Sequence, residues 1–330
     1  MSESLTPEAI LTDASRGRIT KLLAVDLLLS LIEKSNNSEL RTTSIFTLQK
    51  LIIPKEKVEK VYETIESCLL SDENAFVRSS AAILISEQLL KYGIHALKWA
   101  IHHDSSPIVL NTLMAFFIEK PQISLELTEC LQIWLKNYAE KIGIVPEEAR
   151  FFLEVESLFA QRIKNYEISD DSHFYFRGIT NMKPQESFFN ISKNHIKVLH
   201  YNFYNWLYLK RNQDIITSFS KIQDLASFLS LYKQYDINFK DPPTLPSSIG
   251  RLVHLKVLNL SGNEIKSIPS YIFSLSNLQE LDLSKNTIEK IPNSILKLKK
   301  LKVLNLKNND LQDIPSELEE YLASLDKFEY

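Results

Sequence analysis

Three groups of side chains have types and spacing that could do chemistry. His102, His103 and Asp104 set two imidazoles beside a carboxylate. A zinc site needs three or four ligands converging on one point, and adjacent residues on a helix diverge by about 100°. The run therefore reads as an inter-helix loop, and no metal is expected. Glu147, Glu148, Glu154 and Glu156 crowd four carboxylates into one short stretch. Glu147 and Glu154 could share a helical face, but acid–base catalysis needs a partner motif, and none accompanies them. A solvated helix face is the expectation. Lys297, Lys299, Lys300 and Lys302 form a basic cluster, read as solvated surface, with an acidic partner or a membrane surface as the alternative.

Composition narrows the field further. Only 6 of 330 residues are glycine. Phosphate-binding loops need glycine at tight turns, and neither G-x-G-x-x-G nor G-x-x-x-x-G-K-[ST] occurs. G-x-S-x-G, H-E-x-x-H and kinase signatures are absent too. No catalytic residue and no cofactor is predicted. Cys68 and Cys130 are no disulfide framework, which favours a reducing compartment. No basic n-region precedes an apolar stretch near Met1, and no run approaches the roughly 18 apolar residues of a spanning helix. A cytoplasmic protein without membrane insertion is expected. Net charge is −3, and no third of the chain is strongly basic. Nucleic-acid binding is therefore not expected.

What must position any functional group is a repeat. Prolines stand at 246, 269, 292 and 315, and asparagines at 263, 286 and 309. Leu255, Leu278 and Leu301 share this register, as do Leu258, Leu281 and Leu304, and Leu260, Leu283 and Leu306. The unit reads L-P-x-x-I-x-x-L-x-x-L-x-x-L-x-L-x-x-N-x-I. Its L-x-L alternation puts both leucines on one side of a strand and the intervening residues on the other. The asparagine amide can satisfy backbone groups left unpaired by a curved loop. This resembles the 23-residue leucine-rich repeat of intracellular Ras-binding scaffold proteins. The resemblance implies a short horseshoe with a parallel sheet, and a small GTPase as a candidate partner. A degenerate repeat is expected upstream, with Leu229, Tyr232, Tyr235 and Ile237 in the core columns. Further upstream, Phe188–Tyr201 reads as a hairpin covering the open edge. At the other end, Ser316 to Phe328 reads as a capping helix with Ser316 as N-cap and Glu319 at N3. Five strands result.

Residues 1–140 show 3.6-residue periodicity instead. Leu22, Val25, Leu29 and Ile32 form one stripe, and Ile45, Phe46, Leu48, Leu51 and Ile52 another. Asn37–Ile45 and Asn74–Ala82 look alike, with Arg41 and Arg78 in matching places, and His103–Leu110 opens a similar helix. The pattern resembles a HEAT-like helical repeat. A helix pair over about 122–140 and 146–166 continues it, with Pro146 at N1 of the second helix.

The fold expected is thus α plus α/β: a HEAT-like α-solenoid, then a leucine-rich-repeat horseshoe with capping elements. The boundaries are 1–145 for the helical repeats, 146–185 for a connector and 186–330 for the leucine-rich repeats. The function expected is a non-enzymatic scaffold that offers both repeat surfaces to a protein partner. Candidate contacts on the concave strand face are Val257, Asn259, Ser261, Glu280, Asp282, Ser284, Val303, Asn305 and Lys307. Residues 151–240 hold 19 of the 33 aromatics. There Tyr204, Trp206, Tyr208, Lys210 and Arg211 form a candidate aromatic patch, or else pack a junction. The rival reading is a regulatory or catalytic subunit with an unrecognised site in 151–240.

Overall fold

The computed structural model describes residues 6–161, 189–201 and 245–330. The aromatic patch from Tyr204 to Arg211, and the degenerate repeat at Leu229, Tyr232, Tyr235 and Ile237, lie outside the described residues. Two compact units result, Met1–Trp134 and Leu135–Tyr330.

The first unit is helical: α1 (Pro7–Ser15), α2 (Lys21–Lys34), α3 (Ser38–Gln49), α4 (Val58–Ser71), α5 (Ala75–Gln88), α6 (Leu90–His103) and α7 (Pro107–Glu119), with α8 (Leu125–Ile142) crossing the division. Capping residues start several of them. Thr6, Thr20, Asn37 and Asn74 each accept an orphan N–H from the first turn that follows. The helices pack in two series, α2 with α4 and α4 with α6, α3 with α5 and α5 with α7. Ala81 and Ala82, fully buried in α5, leave room for this close approach. The apolar stripes are narrower than the sequence suggests. Val25, Leu28, Leu29 and Ile32 are buried, yet Leu22, in the first turn of α2, is 42% exposed. Phe46 is also exposed, because it is turned about 100° from the buried Ile45. Ile52 lies beyond the end of α3 and is exposed as well.

Arg41 and Arg78 do equivalent work. Arg41 grips Asp72 with Nε and Nη2, both at 2.8 Å, and Arg78 grips Asp104 at 2.8 and 3.1 Å. Each aspartate also accepts a backbone N–H two residues on, from Asn74 and from Ser106. Each arginine so ties the start of its own helix to the loop before the next helix of its series.

In the second unit α9 (Pro146–Ala160) precedes a six-stranded sheet of β1 (Phe189–Ser192), β2 (His195–His200), β3 (Val257–Asn259), β4 (Glu280–Asp282), β5 (Val303–Asn305) and β6 (Lys327–Glu329), in that spatial order. The sheet is mixed. β1 and β2 are antiparallel, joined by Lys193 and Asn194 at φ 54° and 60°, and all later pairs are parallel. Left-handed φ at both turn residues matches the twist of the flanking strands.

Leu199, Leu258, Leu281, Leu304 and Phe328 form one cross-sheet row. β2 pairs directly with β3, and the strand expected around Tyr235 lies outside the described residues. Among the described residues the sheet has six strands, and β6 forms where the sequence predicts more helix. The helix there, α10 (Ser316–Ala323), is short, and Ser316 is its first residue rather than its cap. Pro315 takes the cap position with no side-chain bond, and its carbonyl accepts the Leu318 N–H at 2.9 Å. Pro246, Pro269 and Pro292 do the same for Ile249, Ile272 and Ile295, opening 3-10 turns on the side away from the strands. Proline fixes φ here and gives up no N–H that the sheet needs.

Candidate interaction surface

Between the buried leucines of each strand stand residues that face away from the core. Val257, Glu280 and Val303 align in one row, and Asn259, Asp282 and Asn305 in the next. The register extends both rows to residues that sequence reasoning missed. Val198 and Lys327 join the first row, and His200 and Glu329 the second. β2 and β6 lie outside the 23-residue period, so no column of the sequence pointed to them.

The second row is partly self-engaged. Asn259, Asp282 and Asn305 each accept, through Oδ1, the N–H two residues on, from Ser261, Ser284 and Lys307 at 2.8–3.1 Å. Such side-chain turns hold the chain as it leaves the strand. Ser284, expected on the outer face, is only 7% exposed, because this turn draws it inward. Glu329 accepts from Lys307 at 2.7 Å and from Lys327 at 3.1 Å, and its pKa is held below the usual carboxylate value by these hydrogen bonds. Glu280 and Asp282 make no ion pair among the described residues. His200 has a lowered pKa, chiefly because burial disfavours its charged form, while Asp282 pulls the other way. The face therefore presents valines along one row and, at its centre, two carboxylates without a cationic partner among the described residues.

Beneath the face runs the asparagine ladder. Asn286 donates through Nδ2 to the carbonyls of Leu260 and Leu283, at 3.0 and 2.8 Å, and accepts from the N–H groups of Asn263 and Ile265, at 2.9 and 3.0 Å. Asn263 reaches Tyr201 and Leu260, and Asn309 reaches Leu283 and Leu306. Gly262, Lys285 and Asn308 occupy one column just before the asparagines, all with φ between 58° and 69° except Lys285 at 55°.

Glu147 is exposed, but the other glutamates of 147–156 are no solvated face. Glu148 is 1% exposed; its Oε2 accepts the Ile196 N–H at 2.8 Å and its Oε1 lies 3.1 Å from His195 Nδ1. Glu154 accepts the Ser248 N–H and hydroxyl at 3.1 and 2.7 Å. Glu156 is also 1% exposed. α9 thus belongs to the second unit and clamps both β2 and the first 3-10 turn. Glu148 and Glu154 thus hold backbone and side-chain groups of β2 and of the 3-10 turn at Ser248. His102 and His103, expected in a loop, form the last turn of α6; both are exposed, and Asp104 is taken by Arg78. Lys297, Lys299, Lys300 and Lys302 are exposed, with Lys300 donating to Asn277 Oδ1 at 2.6 Å.

An open groove of about 560 Å³ lies in the first unit, lined by Glu33, Arg41, Glu63, Thr64, Cys68 and Asp72 among others. Its Arg41 and Asp72 neutralise each other, and burial pushes the Cys68 thiol up to about 12, too high for a thiolate nucleophile. No group of three or more His, Cys, Asp or Glu side chains among the described residues could hold a metal ion. No described helix is long and apolar enough to cross a membrane.

Comparison with known proteins now decides what the repeat is. The family described as leucine-rich repeat region matches residues 236–330. The C-terminal part of the chain is a leucine-rich-repeat region. A solved leucine-rich-repeat protein of Leptospira interrogans is similar at 40% identity, over 26% of this chain and 22% of that one, with a TM-score of 0.25. The match thus spans about a fifth of that protein's length. No curated protein matches the chain. Leucine-rich-repeat regions are in general protein-interaction modules, and the exposed strand face described above belongs to this one.

Proposed function

We propose that the protein is a non-enzymatic scaffold, and that the strand face of its leucine-rich-repeat region holds a protein partner. The observation that carries this reading is the face itself: Val257 and Val303 flank Glu280, Asn259 and Asn305 flank Asp282, and the two carboxylates have no cation of their own among the described residues. A partner that covers the valines and brings a cation to the carboxylates would gain apolar burial and charge complementarity at one place. The first unit, with its paired helices and its Arg41–Asp72 and Arg78–Asp104 clamps, fits a HEAT-like array and would serve as a second arm of the scaffold. The horseshoe, the boundaries at 145 and 185, and the cytoplasmic setting belong to the same reading. The resemblance to Ras-binding scaffolds puts a small GTPase first among partners to test.

Glu280→Lys with Asp282→Lys tests the site. Both side chains point away from the core, so the variant should melt like the native protein. Partners captured from a native lysate and quantified by mass spectrometry should fall at least about tenfold in yield, the effect of losing about 1.4 kcal/mol of binding. Equal recovery of every partner by the variant would remove this face as the binding site.

A further inference from the structure

α6 carries a second surface of distinct chemistry, independent of the strand face. Its 14 residues, Leu90–His103, include no aspartate or glutamate. Gly93, Ala96, Leu97, Ala100 and Ile101 are buried against the neighbouring helices. The opposite side holds Lys91, Tyr92, His95, Trp99, His102 and His103, all exposed, with Lys98 half-buried. Tyr92, His95, Trp99 and His102 recur at spacings of three and four, so they form one ridge along the helix. Tyr92 is 44% and Trp99 45% exposed, a large apolar area to leave in water.

The ridge is ordered rather than loose. Trp99 stacks on His103 with ring centroids 4.6 Å apart and planes 18° apart. Tyr92 lies 5.9 Å from Tyr62 of α4, and the Lys91 ammonium sits 4.6 Å from the Tyr92 centroid. Aromatic side chains held in place lose little entropy when covered, which is what binding anchors require. Lys91 and Lys98 are two helical turns apart on this side. Lys98 pairs with Glu126 at the start of α8, an exposed contact that another carboxylate could replace at little cost. Leu125, beside Glu126 at the start of α8, is 67% exposed.

The flanks decide between occupants. On the α4 side Glu66 accepts from the hydroxyl of Tyr62, whose ring lies against Tyr92, and on the α8 side Glu126 pairs with Lys98. A nucleic acid or an anionic lipid surface would meet these carboxylates on both sides of only two lysines, too few for phosphate-driven binding. A single helix laid along the ridge meets the lysines and avoids the flanks.

We propose that the exposed face of α6 binds an amphipathic helix of a partner protein, one with an apolar ridge and carboxylates two turns apart along it. The contact is helix against helix: leucine-like side chains cover Tyr92 and Trp99, and the carboxylates pair with Lys91 and Lys98. α6 is about 21 Å long at 1.5 Å per residue, so a partner helix of about 14–20 residues covers it.

The full-length protein is titrated into a fluorescein-labelled synthetic helix of about 18 residues with a leucine ridge and glutamates at seven-residue spacing. The matched peptide has lysine in place of those glutamates. Saturable binding of the glutamate peptide is expected, at least tenfold tighter than that of the lysine peptide. Trp99→Ala and Lys91→Glu with Lys98→Glu should each weaken it at least tenfold while the urea midpoint moves little. Equal affinity for the two peptides, or variants that bind like the native protein, would overturn the proposal. Displacement of the peptide by a thymidine oligonucleotide or by phosphatidylglycerol vesicles, and not by unlabelled peptide, would overturn it in favour of a phosphate ligand.

Discussion

Asn286 shows most directly how one residue type is written into the repeat. Its amide serves two carbonyls and two N–H groups from its own repeat and the preceding one, and it is 6% exposed. Leucine at this position has similar size but no polar atoms, so the N–H groups of Asn263 and Ile265 lose their acceptor, while the Leu260 and Leu283 carbonyls keep the amides of Asn263 and Asn309. Each such group costs about 1–3 kcal/mol when left unsatisfied, and relaxation recovers part of the sum. Asn286→Leu should destabilise the leucine-rich-repeat region by about 3 kcal/mol, seen as a lower urea midpoint with an unchanged slope. An unchanged midpoint would mean that the ladder does not hold the repeats together. The column of asparagines was legible because every repeat needs the same bonds at the same place. The inward turn of Ser284 was not, because it depends on where Asp282 directs its own carboxylate.

At the scale of elements, α9 is the clearest departure from what the sequence suggests. Its glutamates read as a solvated face because no nearby residue asks for them. Their partners are the Ile196 N–H and Ser248, separated by 48 and 94 positions, and two of these acceptors bind backbone, which carries no side-chain signature. α10 was misjudged for a similar reason. The apparent capping box at Ser316 and Glu319 is local, whereas Phe328 becomes strand because β5 offers it an open edge beside Leu304. The clamp can be tested one carboxylate at a time. Glu148→Ala leaves the Ile196 N–H buried without its acceptor and should cost about 1–3 kcal/mol. Glu148→Gln keeps an acceptor oxygen and should cost less. Slower proteolysis or unchanged melting in the alanine variant would show that β2 is held by other contacts.

The two compact units make a prediction about the whole molecule. Each has its own core: Val25, Leu28, Ile65, Val77 and Leu97 in Met1–Trp134, and Leu255, Leu258, Leu281 and Leu304 in Leu135–Tyr330. The Arg41–Asp72 pair sits within the first core, with both side chains only 10% exposed. Removing one partner strands a charge there, which typically costs about 3–5 kcal/mol. Chains with separate cores need not unfold in one step. Asp72→Ala should therefore speed amide hydrogen exchange in α2 to α5 and leave the rates of β3, β4 and β5 close to native. Asn286→Leu should do the reverse. Exchange read peptide by peptide resolves the two, because local opening reports the stability of the unit in which each amide lies. If either substitution raised exchange across both units alike, the chain would unfold as one cooperative body, and a partner bound to one unit would stabilise the other. If the effects stay apart, the strand face and the α6 ridge can be occupied independently, which is the property a two-armed scaffold requires.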